Sequence, residues 1–374
     1  MKFIVSSVLL EKRLSVLSGV IPSNPVLPIL EHFYFEIKGG KMIVRAFDMQ
    51  ISMTTELSVE SADEGRLCVP ARQFLDTIKS LPEQPITILM DEEKMSLEII
   101  SYNGRYKLTG EDAHDFPAAP QPDGISKVTM PAEQLTEAIA STLFAVGSDE
   151  LRPAMTGLFW ELGKNSAEYV ATDGNRLVKY RRTDIQSDTA VPIIIPKKAL
   201  TLLKASLPGD NRELTMQRSE GQVFFDYDNI RLSSRLIDER FPDYQNAIPT
   251  DNANILEVER TELLNSLKRL AIYTSRTTNQ IRLKLSPDRF QIFAEDIDFS
   301  NEAHETLSAQ YEGEELEIGF NVKFLIEMLN NLSSKEVRFS FSTPNRAGIL
   351  TPIEQSENEE ILMLIMPVML STYA

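Results

Sequence analysis

The stretch Ala171-Thr172-Asp173-Gly174-Asn175-Arg176-Leu177 predicts a strand, a tight Asp-Gly turn and a second strand. Its surroundings occur three times, because Asp48 and Asp296 also follow short apolar segments. The separations are 125 residues from 48 to 173 and 123 residues from 173 to 296. A repeat of this length is too long for one unit of a solenoid protein. We therefore expect each copy to be a small domain.

The composition limits the class of protein. The chain has 374 residues, of which 42% are hydrophobic, and this is enough for two or three packed domains. The single cysteine, Cys68, lies in an apolar run, which favours a core residue and a reducing cytoplasm over a disulfide framework. No apolar run has the length of a membrane span, and the strand-like start at Met1 leaves no room for a signal peptide. We expect a cytoplasmic protein that does not enter a membrane.

Each copy shows the same order of predicted elements, namely strand, helix, strands, helix, strands. Apolar residues at helical spacing predict six helices, over 8–21, 70–81, 131–146, 196–207, 261–275 and 321–332. Landmarks recur at the repeat spacing, since Pro196 follows Pro70 by 126 residues and Phe241 follows Phe116 by 125. The order favours an α+β fold with helices on one face of antiparallel sheets. The predicted domains are 1–122, 123–250 and 251–374.

Charge is distributed unevenly between the predicted helices and the rest of the chain. The whole chain has 38 basic and 55 acidic residues, a net charge of −17. The six predicted helices together carry +4, which leaves −21 for the remaining residues. A shared, mildly basic helix surface would hold phosphates weakly and without reading base sequence. The simpler alternative is that these cations are only solvated.

Seven short motifs are spread in order over the whole chain. They are Leu27-Pro28-Ile29-Leu30, Val69-Pro70-Ala71-Arg72, Asp115-Phe116-Pro117, Ala171-Thr172-Asp173-Gly174-Asn175-Arg176-Leu177, Phe241-Pro242-Asp243-Tyr244, Glu317-Ile318-Gly319-Phe320-Asn321-Val322 and Met366-Pro367-Val368-Met369-Leu370. In order and spacing they resemble the motifs of a known family, the bacterial sliding clamp or β subunit of DNA polymerase III.

The resemblance implies three clamp domains per protomer and a head-to-tail homodimer that closes into a ring around double-stranded DNA. Helices would line the hole and sheets would form the outer wall. A clamp loader would place the ring on DNA, where it would tether the α subunit of the replicative DNA polymerase and other clamp-binding proteins. The residues that would face DNA are Lys12, Arg13, Arg72, Lys79, Lys197, Lys198, Lys204, Lys268 and Arg269.

A pocket for short partner peptides is the second implication of the resemblance. It would be formed by Arg152, Met155, Thr172, Gly174, Asn175, Arg176, Leu177, Pro242, Leu364, Met366, Pro367, Val368 and Met369. Met155, Leu177 and Pro242, with the methionines, would give an adaptable apolar cleft. Arg152 and Arg176 can bond peptide carbonyls or an acidic side chain. Taken without the family, Met366-Pro367 would be read as an ordinary final strand.

The protomer interface is the third implication. An edge strand with Tyr106 and Leu108 would meet Ile272 and Tyr273 of the partner, because paired edges remove exposed strand edges. Basic residues of that strand, Arg105 or Lys107, would face two carboxylates. These carboxylates are Glu302 and Glu305.

The chain departs from the family pattern at a few positions. Asn24 stands where an arginine is common in the loop before Leu-Pro-Ile-Leu, and Pro153-Ala154 stands where tyrosines are frequent. Asn175 replaces a frequent histidine. A tail, Ser371-Thr372-Tyr373-Ala374, continues past Leu370.

An enzyme is the main alternative class. Asp48, Asp173 and Asp296 could be imagined as a metal-binding carboxylate cluster. They belong to separate repeats, however, and turn formation is the simpler role. No Gly-rich phosphate loop or nucleophile motif occurs. We expect a non-catalytic subunit with no cofactor and no metal. A scaffold that displays the pocket without encircling DNA is a further alternative.

Overall fold

The computed structural model describes residues 1–61, 63–124, 126–187 and 191–370. Within these described ranges, each repeat contains two α-helices. They are α1 Ser7–Ser18, α2 Ala71–Lys79, α3 Ala132–Thr142, α4 Lys197–Ser206, α5 Arg260–Leu270 and α6 Val322–Asn330. Each overlaps one predicted helix. The predictions over 131–146 and 261–275 are longer because short 3-10 helices, Leu143–Ala145 and Ala271–Tyr273, follow α3 and α5.

The strands occupy corresponding places in the three repeats. The first repeat holds β1 Lys2–Ser6, β2 His32–Lys38, β3 Lys41–Phe47, β4 Ile51–Ser58, β5 Gly65–Pro70, β6 Pro85–Asp91, β7 Ser96–Ile100 and β8 Arg105–Thr109. The second holds β9 Ser126–Pro131, β10 Gly157–Leu162, β11 Ala167–Thr172, β12 Arg176–Arg182, β13 Val191–Pro196, β14 Glu213–Ser219, β15 Gln222–Tyr227 and β16 Ile230–Arg235. The third holds β17 Asn254–Glu259, β18 Gln280–Ser286, β19 Arg289–Asp296, β20 Asn301–Leu307, β21 Gln310–Glu312, β22 Leu316–Asn321, β23 Glu336–Phe341, β24 Gly348–Pro352 and β25 Glu359–Ile365.

The chain divides into two compact units, and the described residues of each form two antiparallel sheets. The first unit comprises residues 1–136 and 198–236. Its sheets have the orders β1-β6-β7-β8 and β5-β2-β3-β4-β16-β15-β14-β9. The second unit comprises residues 137–197 and the chain from 237 onward. Its sheets have the orders β13-β10-β11-β12-β25-β24-β23-β17-β21 and β20-β19-β18-β22.

Two kinds of four-stranded block recur in these sheets. One kind, here called the A block, is β1-β6-β7-β8 and recurs as β9-β14-β15-β16 and as β17-β23-β24-β25. The other kind, the B block, is β5-β2-β3-β4 and recurs as β13-β10-β11-β12 and as β22-β18-β19-β20. Each repeat therefore contributes one A block and one B block.

A and B blocks of consecutive repeats are fused by antiparallel strand pairs. At the first joint, β4 pairs with β16 and Thr55 lies opposite Ile230. At the second joint, β12 pairs with β25 and Leu177 lies opposite Leu364. The central repeat thus contributes to both compact units, and the boundaries 1–122, 123–250 and 251–374 stay a prediction.

The helices bury one face each, as their apolar spacing predicts. Leu10, Leu14 and Leu17 of α1 are fully buried, and α1 packs on α2 while α5 packs on α6. Burying one such leucine stabilises the fold by about 2 kcal/mol relative to an exposed position. Asn321 caps α6, since its side chain accepts a hydrogen bond from the Lys323 backbone N–H at 3.0 Å. Sheets with helices packed on them confirm the predicted α+β fold.

Cys68 lies in the core, as the sequence predicts. It is completely buried in β5, and burial raises the pKa of its thiol to about 12. A thiol with such a pKa stays protonated near neutral pH and is a poor nucleophile. Among the helices that the structure describes, none is long and apolar enough to cross a membrane.

Candidate functional sites

The Asp173 turn joins β11 to β12 and is fixed by its own side chains. Asp173 Oδ1 accepts hydrogen bonds from the backbone N–H groups of Asn175 (2.9 Å) and Arg176 (3.0 Å). Thr172 Oγ1 donates to the Arg176 carbonyl at 2.7 Å and accepts from the Gly174 N–H at 3.1 Å. Gly174 has φ of 90°, a conformation that glycine adopts without steric cost. The predicted Asp-Gly turn is confirmed.

The Asp48 turn between β3 and β4 has the same geometry. Asp48 Oδ1 accepts from the N–H groups of Gln50 (3.0 Å) and Ile51 (2.6 Å). Met49 takes the position of Gly174, with φ of 77°. Two of the three repeated aspartates therefore form turns rather than a catalytic cluster. No group of three or more metal-ligating side chains occurs in the part of the chain that the structure describes.

Arg176 is held inside the second compact unit by several partners at once. Its guanidinium pairs with Asp173 at 3.1 Å and with Glu327, and it donates to the Phe144 carbonyl at 3.0 Å. The same group lies 4.6 Å from the ring centre of Phe324. Only 8% of its side chain is exposed. Arg176 therefore holds the hairpin in place from its buried side. Of the two arginines predicted for the pocket, only Arg152 is exposed.

Arg152 lies against the tip of the hairpin. Its Nε donates to Asp149 Oδ2 at 2.9 Å, and a Cβ placed on Gly174 would be 2.5 Å from Arg152 Nη1. The hydrogen bond and the charge of Arg152 hold the pKa of the Asp149 carboxyl below its usual value. Arg152 thus forms a charged rim beside the turn, where it can meet a peptide carbonyl or carboxylate.

The C-terminal segment after β25 completes the neighbourhood. The Met366 N–H donates to the Asn175 carbonyl at 2.8 Å, and the Val368 N–H donates to the Gly319 carbonyl at 2.9 Å. Met366 and Met369 are exposed. The segment is therefore tied to the hairpin at one end and to β22 at the other, with flexible apolar side chains outward.

An apolar cluster supports this surface from below. Its buried members are Val170, Leu177, Ile194, Phe241, Tyr244, Ala347 and Leu364. Pro242 is partly buried next to Phe241, and Met155 is partly buried after the Arg152 turn. The structure therefore brings the hairpin, the C-terminal segment and the Arg152 rim together within one compact unit. The tail 371–374 lies outside the described residues.

The predicted DNA-facing cations differ in how they are bonded. Five exposed ones have no ion-pair partner among the residues that the structure describes. They are Lys12, Arg72, Lys79, Lys204 and Lys268. Lys198 instead pairs with Asp48, and Arg269 pairs with Glu305. Lys197 donates to the Val146 carbonyl at 3.3 Å, and Arg13 is half-buried.

The predicted interface residues lie on or near the outer edges of two sheets. β8 is an edge strand, on which Tyr106 is exposed and Leu108 is buried. β20 is an edge strand that carries Glu302 and Glu305. Ile272 and Tyr273, in the 3-10 helix after α5, are exposed.

Several functional contacts were missed by the sequence-based reasoning. The pairs Lys198–Asp48 and Arg176–Glu327 join residues 150 and 151 positions apart. Periodicity within one helix or strand carries no information about such distant pairs. The repeat spacing is the one signal that could have located them, since it aligns each helix with the turn of the preceding repeat.

Three family models match the chain in succession. They are the N-terminal, central and C-terminal domains of the DNA polymerase III beta subunit, over residues 1–120, 129–243 and 245–369. The chain belongs to the DNA polymerase III beta subunit family. This confirms the resemblance stated from the seven motifs and gives the chain a sliding-clamp role in DNA replication.

Relatives and solved structures agree with this family. Beta sliding clamps of Synechocystis sp. and Escherichia coli are each 29% identical to this chain, over 99% of it and 100% of the relative. The DNA polymerase sliding clamp from Bacillus subtilis superimposes with a TM-score of 0.94 at 27% identity. The sliding clamp from Pseudomonas aeruginosa bound to griselimycin gives 0.93 at 27% identity. Both comparisons cover 99% of this chain and 100% of the other.

Proposed function

We propose that two copies of the chain close head to tail into a ring around duplex DNA, and that this ring tethers the replicative DNA polymerase and other clamp-binding proteins. Family membership supports the sliding-clamp role. The observation that carries the assembly is the pattern of fused and unfused blocks. The B block of the first repeat is fused to the A block of the second, and the B block of the second to the A block of the third.

One A block and one B block each keep an unpaired edge strand of the kind that is fused at the two joints. They are the B block of the third repeat, which ends at β20, and the A block of the first repeat, which ends at β8. A third joint of the same form would pair β20 of one copy with β8 of the next. Such a contact uses different surfaces on the two copies, so it forms a ring when the rotation closes. Pairing would also remove both exposed edges.

The first joint supplies a register for this contact. Ile230 lies opposite Thr55 there, and their counterparts at the repeat spacing are Arg105, 125 residues before Ile230, and Glu305, 250 residues after Thr55. Arg105 and Glu305 would thus be directly opposed across the antiparallel pair. An opposite-charge pair at this position contributes about 0.2–1 kcal/mol.

Contacts beside the first joint point to the same surface. The segment after α1 approaches α4, because a Cβ on Gly19 would lie 2.5 Å from Leu202 Cδ2, and Lys198 Nζ donates to the Val20 carbonyl at 3.3 Å. The corresponding segment after α5 is Ile272–Tyr273, and it is exposed. In the proposed ring, α2 of the partner would cover it.

The helix charges suit a ring that slides. The exposed cations of α1, α2, α4 and α5 would contact phosphates without reading sequence. Retention would come from encirclement, so strong phosphate binding is unnecessary, and the acidic remainder of the chain would repel stray DNA. A closed ring needs a clamp loader to open it. We propose a cytoplasmic, non-catalytic role that requires no cofactor or metal.

The surface around the Asp173 turn is the proposed peptide site. Arg152 would receive a carbonyl or an acidic side chain, and Met366 and Met369 would cover apolar side chains of the peptide. Arg176 would act from below, by holding the hairpin in place. We also propose that the domains end near residues 122 and 250.

Retention on DNA tests the ring. Sedimentation should show a dimer, and loaded clamp should stay on nicked circular DNA but leave linear DNA through its ends. Blocking both ends of the linear DNA with bound protein is the control and should restore retention. Equal loss from circular and linear DNA would favour the scaffold that does not encircle DNA.

Substitution of the C-terminal segment tests the peptide site. Met366→Ala with Pro367→Ala should lower the affinity for a polymerase-derived peptide at least tenfold. The dimer should be unchanged, because the segment is hydrogen-bonded to β22, at the edge of its sheet opposite to β20. Fluorescence anisotropy with a labelled peptide measures this. Met95→Ala, on a turn of the first repeat, is the control. Unchanged affinity would reject the pocket.

A further inference from the structure

Asp296 differs from the two aspartates with which it aligns. Ile51 follows Asp48 by three residues and pairs with it, whereas Asp296 lies opposite Asn301, five residues later. The third turn is thus two residues longer, and Asp296 accepts none of the turn hydrogen bonds found at Asp48. Its residue surface is only 8% exposed, and its Oδ1 is buried without a hydrogen-bond partner. An unpaired buried carboxylate is costly unless a donor reaches it.

None of the described groups around Asp296 donates a hydrogen bond to its Oδ1, although Ser275, Thr278 and Gln280 line the same cavity. Asp296 lines a cavity of about 290 Å³ together with Arg282 and Asp298. Arg282 is committed elsewhere, because it pairs with Glu295 and Glu317, each at 3.1 Å, and stacks on Phe293. Ile297 and Phe299, on either side of Asp298 at the tip of the turn, are exposed apolar side chains, which are typical of a surface that another protein covers.

The first joint shows which kind of side chain pairs with an aspartate at this position of the repeat. Lys198, the second residue of α4, pairs with Asp48 of the preceding repeat. The helix-start prolines Pro70 and Pro196 are 126 residues apart, and Arg72 follows Pro70 as Lys198 follows Pro196. Arg72 is exposed, and it has no ion pair among the residues that the structure describes. It lies in the wall of a cleft of about 930 Å³ whose apolar lining includes Ile21.

We propose that Asp296 forms an ion pair with Arg72 of the partner subunit, as a third copy of the Asp48–Lys198 pair. The inference rests on the proposed head-to-tail ring and adds a buried, charge-specific contact to it. The apolar tip of the turn enters the cleft beside the partner's Arg72. Arg72, which the family resemblance places on the DNA-facing surface, is then a residue of the subunit interface.

A charge swap tests the pair. Asp296→Asn and Arg72→Gln should each raise the dimer dissociation constant roughly 30-fold, since each leaves the other partner unpaired. The double variant should be no weaker than either single variant. Asp296→Arg with Arg72→Asp should restore the constant to within about threefold of the original. Lys38→Gln, which changes an exposed cation at the end of β2, is the control and should leave the dimer dissociation constant unchanged. Sedimentation equilibrium measures the original chain and the five variants.

A second measurement separates this role from a structural one. In a monomeric background, such as Leu108→Asp, Asp296→Asn should raise the unfolding temperature because it removes an unpaired buried charge. A lowered unfolding temperature there would overturn the inference. So would an Arg72→Gln variant that leaves DNA faster but dimerises normally. If the original chain is a monomer at every concentration, the ring itself fails, and this outcome is distinct.

Discussion

An ion pair lies beside each of the two joints, and the buried partner is an acid at the first joint and a base at the second. At the first joint the earlier repeat supplies the buried acid, Asp48, with 8% of its side chain exposed, and the later repeat supplies Lys198, with 47% exposed. At the second joint the earlier repeat supplies the buried cation, Arg176, with 8% exposed, and the later repeat supplies Glu327, with 52% exposed. Each joint therefore buries one charge and leaves its partner half in water.

The difference suits the Asp173 turn to its proposed role as a peptide-binding surface. The buried Asp48 accepts hydrogen bonds from the backbone of its own turn, so the turn does not depend on the ion pair with Lys198. The buried Arg176 instead links the hairpin to Phe144, Phe324 and Glu327, which anchors the Asp173 turn at several points. A peptide that lies across a turn needs a surface that does not yield, since ordering a loose surface on binding reduces affinity.

The largest expected effect comes from removing the buried cation. Arg176→Ala should destabilise the second compact unit by about 3 kcal/mol, because it leaves Asp173 unpaired and removes a cation–π contact. For a unit of this size the unfolding temperature should fall by about 8 °C. Differential scanning calorimetry measures this. Arg176→Lys keeps the charge but not the fork of donors, so it should recover only part of the loss.

Peptide binding provides the check on this interpretation. If Arg176 acts only by positioning the hairpin, its alanine variant should lose peptide affinity and thermal stability together. Lost affinity at unchanged stability would instead mean that Arg176 contacts the peptide directly.

Smaller effects are expected at the tips of the two turns, and they should differ in sign between the two turns. Gly174→Ala should destabilise the protein by about 1–2 kcal/mol, because its φ is 90° and the new Cβ would meet Arg152. Met49→Gly, at the equivalent position, should stabilise it by up to about 1 kcal/mol, because φ there is 77°. Urea denaturation measures both. Effects of the same sign would show that the turns are not equivalent.

The smallest effect is expected at Lys198, the half-exposed partner in the ion pair of the first joint. Lys198→Ala should cost about 1 kcal/mol or less, because Asp48 keeps the hydrogen bonds from Gln50 and Ile51. The comparison with Arg176→Ala under the same denaturation conditions decides the point. A cost for Lys198→Ala as large as for Arg176→Ala would contradict the stated asymmetry between the joints.

Local patterns predicted the elements of this fold well. The apolar spacing located α1 to α6 to within a few residues, and the Asp-Gly dipeptide located the turn before β12. The repeat of Asp48 and Asp173 was equally visible, since side-chain bonds to nearby backbone N–H groups depend only on local sequence. The proposed role of the surface came from the seven motifs, because a net charge of −17 by itself does not indicate a nucleic-acid partner.

The contacts that distinguish the joints could not be predicted in this way. Arg176 and Arg152 look alike in sequence, yet one is buried between aromatic rings and the other forms an exposed rim. The extra length of the Asp296 turn was also hidden, because the repeat spacing of 123 residues appeared to be ordinary drift. Such differences depend on which distant residues the sheets bring together.

The joints themselves are made by main-chain hydrogen bonds between β4 and β16 and between β12 and β25. Every residue except proline offers the same amide and carbonyl, so these bonds survive when side chains are exchanged over evolutionary time. A framework held in this way can drift to 27% identity and still superimpose on its Bacillus subtilis relative with a TM-score of 0.94. The side chains of the ion pairs beside the joints and of the proposed pocket rim can then change one at a time without loss of the fold.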